Sequence, residues 1–145
     1  MIPTEQTILH APDDGRFGNC LSAVLASLLH LPIEQIPSFT APGPQWQRDL
    51  NRWLRQFGLA YVQVSAFDAW AADTGIEGCW HEIGGTTPRF ADVEHAMVGT
   101  DGRPVFDPHP SDAGVEAITA HGIFIALRPW ELVRTEAREI SEVAS

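Results

Sequence analysis

Apolar positions follow a helical rhythm in the first third of the chain and a strand rhythm in the second half. Leu21, Val24, Leu25 and Leu28 keep the i, i+3, i+4, i+7 spacing of a buried helical face. Asn19 is placed to cap the start of that helix and Pro32 to stop it. A second stripe of Trp46, Leu50, Trp53, Leu54 and Phe57, with arginines mostly off the stripe, predicts an amphipathic helix from about Trp46 to Phe57, ended by Gly58. Thr7 to His10 reads as a short strand, Ala11 to Arg16 as a turn-rich loop, and Ile33 to Ile36 as a turn.

After Gly58 the period changes. Ala60–Val64, Gly78–Ile83 and Gly122–Leu127 predict strands, the last of them central. Phe67–Ala72 predicts a short helical piece, and Gly84–Arg89 a loop. The sharpest hairpin signal is Asp101-Gly102, between an arm from His95 to Gly99 and an arm from Pro104 to Phe106. Trp130 to Val143 mixes acids with apolar residues, as a helix or frayed end would. Helices first and antiparallel strands afterwards make the fold class α+β.

With 145 residues the chain suits one domain, residues 1–145, with a core over about 6–127 and a tail over 128–145. A net charge of −10 leaves no basic face for a phosphate backbone, so no nucleic-acid partner is expected. No apolar run is long enough to cross a membrane, and the first residues lack the pattern of a secretory signal. Two cysteines, Cys20 and Cys79, define no disulfide framework, so a reducing cytoplasm is the expected setting.

Cys20 then stands out. A thiol at a helix start faces exposed backbone N–H groups and a dipole that favour a negative sulfur. His95 opens one hairpin arm and Asp107 ends the other, which brings an acid beside an imidazole it can orient. The pattern predicts a Cys20–His95–Asp107 nucleophile site with a depressed thiol pKa, the Cys20 N–H serving as one oxyanion donor. Taken singly, each residue has an ordinary reading: a small apolar side chain in a helix, a polar strand residue, a turn acid. Their combination and order carry the expectation. Asp14, Arg16, Asn19 and Gln6 are the upstream polar candidates for a second donor, with helix capping the competing role for Asn19. Arg89 could meet a substrate carboxylate. His109 is a rival base between two prolines. Cys79 and His81 form a Cys-x-His pair, but no CxxC or HExxH completes a zinc site, so no metal and no cofactor are expected.

The stretches Gly18–Leu29, His95–Gly99 and Asp101–Pro108 resemble the papain-like cysteine peptidase superfamily, in its small bacterial C39-type peptidase-like and transglutaminase-like forms, common among phage proteins. The resemblance spans roughly Gln6 to Leu127. It implies a nucleophile-bearing helix packed on an antiparallel sheet, with Cys20, His95 and Asp107 as nucleophile, base and orienting acid. Where C39-type peptidases carry an oxyanion-hole glutamine a few residues before the cysteine, this chain has Asp14. The implied activity is hydrolysis of a peptide or isopeptide bond in a peptide or protein substrate through a thioester, in a bacterial or phage-infected cytoplasm. Transglutaminase-like acyl transfer is the second reading, and a catalytically silent protein-binding module the third.

Overall fold

The computed structural model describes residues 1–65 and 75–133. Two helices, α1 (Cys20–Leu29) and α2 (Gln45–Leu54), precede five strands: β1 (Leu59–Ser65), β2 (Trp80–Thr87), β3 (Phe90–Thr100), β4 (Arg103–Phe106) and β5 (Ala117–Ala126). The strands form one sheet in the order β1-β5-β2-β3-β4, every neighbouring pair antiparallel. The architecture is α+β.

Helix α1 is more deeply embedded than its apolar stripe implies. Every residue from Ser22 to Ala26 is buried, and so is Ser27. The stripe packs on β3, where Val24 meets Ala96 and Val98. The other side is closed by the chain's own start: the Ile2 N–H donates to the Ser27 carbonyl, and the Thr4 N–H to Ser27 Oγ at 3.0 Å. Ser27 in turn donates to the Ala23 carbonyl, and Ser22 to that of Pro37, so the buried hydroxyls are satisfied. His30, in the left-handed region at φ 56°, ends the helix two residues before Pro32.

Helix α2 stops at Leu54 and tightens into a 3-10 turn, Arg55–Phe57, which Gly58 terminates at φ 70°. Its Leu50 and Leu54 are fully buried against Leu25, Ala26 and Tyr61. Burying side chains of that size contributes about 1.5–3 kcal/mol each. Asn51 ties the helix to β1: its amide oxygen accepts from the Tyr61 N–H at 2.7 Å, and its amide nitrogen donates to the Tyr61 carbonyl at 3.0 Å. The edge strand thus finds, on its outer side, the pairing a further strand would supply.

Sequence expectation and structure part along several segments. Thr7–His10 is not a strand; its backbone is held by Asn19 and by the Asn19 N–H. Gly84–Thr87, read as loop, continues β2 and pairs with both β3 and β5. The arm assigned to His95–Gly99 begins earlier, at Phe90, so His95 lies mid-strand. The Asp101-Gly102 turn is present with φ 49° and 78°, and pairs Val98 with Phe106. The expected helical piece at 67–72 and most of the tail beyond 133 lie outside the described residues.

Candidate active site

The hairpin sets the acid beside the base. Asp107 follows β4 directly, and its Oδ1 lies 2.6 Å from His95 Nε2. The same oxygen accepts from the His109 N–H at 2.8 Å, while Oδ2 accepts from the Gly114 N–H at 2.8 Å and faces Arg89 Nη1 at 3.5 Å. Burial alone would raise the Asp107 pKa; the His109 N–H, His95 and the Gly114 N–H outweigh it and hold the carboxyl below its usual range. The carboxylate is therefore ionised and fixed from both sides. Because Nε2 is committed to Asp107, Nδ1 is the His95 nitrogen left for other work.

Cys20 opens α1, partly exposed, with its sulfur against the backbone N–H groups of Ala96 and Leu21. Cys20 and His95 line one cleft of about 250 Å³, together with Gln6, Glu82, Arg89 and His109. The expected depression of the thiol pKa is not what this environment produces. Burial raises it, the Ala96 and Leu21 N–H groups offset only part of that, and the Glu82 carboxyl raises it further. Burial likewise lowers the His95 pKa, against the pull of Asp107. Burial thus favours the neutral form of both groups, thiol at Cys20 and imidazole at His95. A helix start is a weaker influence than the desolvation of the sulfur beside a second acid.

The other candidate residues separate. Asp14 lies on the surface in an ion pair with Arg16, its side chain 67% exposed, and does not line the cleft. Asn19 lines the cleft but makes no capping bond: its Oδ1 accepts from the Thr7 and Ile8 N–H groups, and its Nδ2 donates to Thr7 Oγ1. Its side chain binds the incoming Thr7–Ile8 segment. Arg89 lies on the cleft wall between Asp107 and Ser111, with Nη2 buried and without a hydrogen-bond partner. Gln6 is buried at the cleft, held by its N–H on the Pro108 carbonyl and by Nε2 on the Ile8 carbonyl. Gly18 permits this: a Cβ there would lie 3.1 Å from the His10 nitrogen and 3.4 Å from Gln6 Nε2.

His109 accepts from Ser111 at Nδ1, and its ring centroid is 6.3 Å from that of His95. His81 is wholly buried and does not line the cleft. Its Nε2 accepts from the Gly102 N–H at 3.0 Å, so Nδ1 carries the proton and donates to the Glu82 carbonyl at 2.8 Å. Nε2 of His81 thus serves the hairpin turn and Nδ1 the β2 backbone, with Cys79 held nearby through its N–H on Asp101. Among the described residues no group of three or more His, Cys, Asp or Glu side chains could hold a metal ion.

One cleft residue escaped the sequence reading. Glu82, on β2, is 3% exposed, with Tyr61 Oη donating to its Oε2 at 3.0 Å. Burial is the main cause of its pKa rising to about 7, Tyr61 opposing and Glu94 adding. The signal lay in two glycines: a Cβ on Gly84 would approach Glu82 Oε1 at 3.3 Å, and one on Gly122 would collide with Tyr61 and Glu82.

Comparison with protein-family models, with curated proteins and with solved structures found no match to this chain. Among the described residues, no helix is long and apolar enough to cross a membrane.

Proposed function

We propose that the protein is a cysteine-dependent amide hydrolase of papain-like type, acting on a peptide or isopeptide bond with Cys20 as nucleophile, His95 as base and Asp107 as orienting acid. The observation that carries this reading is the 2.6 Å bond from His95 Nε2 to a fully bonded Asp107, at a cleft that Cys20 also lines. That bond fixes the imidazole so that Nδ1 can accept a proton.

Because thiol and imidazole rest neutral, proton transfer from sulfur to His95 accompanies attack rather than preceding it. Sγ adds to the carbonyl carbon, and the oxyanion is held by the Cys20 N–H at the helix start. Gln6, which lines the cleft where Asp14 does not, supplies the second donor in this reading through the Nε2 hydrogen that the Ile8 carbonyl does not take. His95 then gives its proton to the leaving amine, and a thioester on Cys20 remains for water to hydrolyse. An amine in place of water would make the same site an acyltransferase.

Incubation with p-nitrophenyl acetate, followed by peptide mapping, tests the reading. Acetyl transfer to Cys20, absent in Cys20→Ala and not matched at Cys79, is the expected result. A chain whose two cysteines acetylate equally slowly is a binding module, not an enzyme.

A further inference from the structure

Glu82 has no part in the Cys-His-Asp chemistry, yet it sits in the same cleft. It makes the sulfur harder to ionise, and burial makes its own ionisation costly. Among the described residues its one side-chain hydrogen-bond partner is the Tyr61 hydroxyl, and no ion pair there involves it. The surroundings are built around it. Gly84 and Gly122 leave room where any Cβ would press on the carboxyl or on Tyr61, and Asn51 pins the Tyr61 backbone. Aromatic side chains from elsewhere in the chain, Phe39 and Trp46, line the same cleft, and the Trp46 ring meets that of Tyr61 edge-on at 5.8 Å. A desolvated carboxyl without a cation, beside indole and phenyl rings, is the environment that receives an alkylammonium group: charge pairing at the carboxylate and cation–π contact along the wall.

We infer that Glu82 is the specificity-determining group of the cleft, binding a protonated primary amine, such as a lysine side chain, on the substrate that Cys20 attacks. The inference rests on the proposed hydrolase reading for the word substrate, but amine binding itself does not require turnover. The nine basic residues of this sequence are all arginine, so no lysine ε-amine of the chain competes for the site.

The titratable groups facing Glu82 are Tyr61 from β1, Cys20 from α1 and Glu94 from β3. An ammonium ion draws the proton from Glu82, so binding strengthens as pH rises through about 7. The test titrates the full chain with n-butylammonium chloride and, separately, with neutral n-butanol, followed by tryptophan fluorescence between pH 6 and 8. The expected result is at least tenfold tighter binding of the ammonium at pH 8, shrinking at pH 6, and loss of the preference in Glu82→Gln. His95 and His109 also become less positive over that range, so Tyr61→Phe supplies a second readout. Removing the phenol donor raises the Glu82 pKa and moves the pH midpoint of binding upward, which the histidines would not do. Equal affinity for amine and alcohol, a preference kept by Glu82→Gln, or a midpoint unmoved by Tyr61→Phe overturns the inference. Acetylation by p-nitrophenyl acetate on the same samples keeps the two readings apart. Ammonium preference without acetylation of Cys20 removes only the enzyme, and acetylation without preference removes only the amine site.

Discussion

Replacing Glu82 by glutamine makes the stability of this protein depend on pH in a way that can be worked from the cleft. In the native chain the carboxyl titrates at about 7, against 4.5 for the ordinary group, chiefly because it is buried. Between those values the folded chain holds a proton that the unfolded chain has released. The group's favourable contribution is thus complete below pH 4.5, declines as pH rises, and levels off above about 7. A difference of that size amounts to about 3 kcal/mol. Glutamine cannot ionise, so it removes this slope. It also sets an amide NH₂ where one carboxyl oxygen accepted from Tyr61 or from the Gly122 backbone, a loss of about 1–2 kcal/mol at every pH. The variant should be less stable than the parent near pH 5 and more stable near pH 8. Urea denaturation followed by tryptophan fluorescence, run from pH 4.5 to 8.5, gives the difference directly. Contributions from Asp107 and the histidines are common to both chains and cancel. A parent-minus-variant difference that stays within about 1 kcal/mol across the range would refute the burial argument for Glu82.

Other perturbations follow from the same contacts. Asp107→Asn removes a charge-assisted bond of about 1.5–3 kcal/mol, so acetylation of Cys20 at neutral pH should fall about 10- to 150-fold while thermal stability is measured in parallel; an unchanged rate would detach the acid from the site. Asn19→Ala strips three hydrogen bonds from the segment that closes over α1 and should cost about 2–3 kcal/mol in denaturant titration, with faster proteolysis near Thr7. Equal stability of that variant would show that the cap-like position carries no load. Gly99→Ala would set a methyl group against the Ile83 side chain and 3.0 Å from His81 Cε1, a strain of about 1–3 kcal/mol read by the melting temperature.

Much of the fold is legible because its signals are local. The α1 stripe, the Pro32 stop, the α2 stripe and the Asp-Gly turn each depend on residues a few positions apart, and each element lies where those residues place it. Gly84-Gly85-Thr86-Thr87 misleads for a nonlocal reason. Small residues there read as loop, but a Cβ on Gly85 would strike the Ala117 carbonyl and lie 2.9 Å from Val115 Cβ. The glycines mark close approach within a sheet, not flexibility. The contact between His95 and Asp107 was readable from one hairpin. The roles of Asn19, Asp14 and Glu82 were not, because each depends on what a distant segment brings: the chain start around Asn19, solvent and Arg16 around Asp14, and Tyr61 over Glu82. The thiol pKa failed for a related reason. The helix start is visible in sequence, whereas the burial of the sulfur and the acid beside it belong to the assembled core.

In the proposed mechanism His95 takes the proton from Cys20 as the sulfur attacks a carbonyl. The measurement closest to it is the rate of Cys20 acetylation by p-nitrophenyl acetate against pH, in the parent and in His95→Ala. In the parent a limb governed by an imidazole of pKa below 6.5 should sustain the reaction at neutral pH, and in the variant only the limb of a thiol of pKa above 9.0 should remain. Superimposable profiles for the two proteins would contradict it.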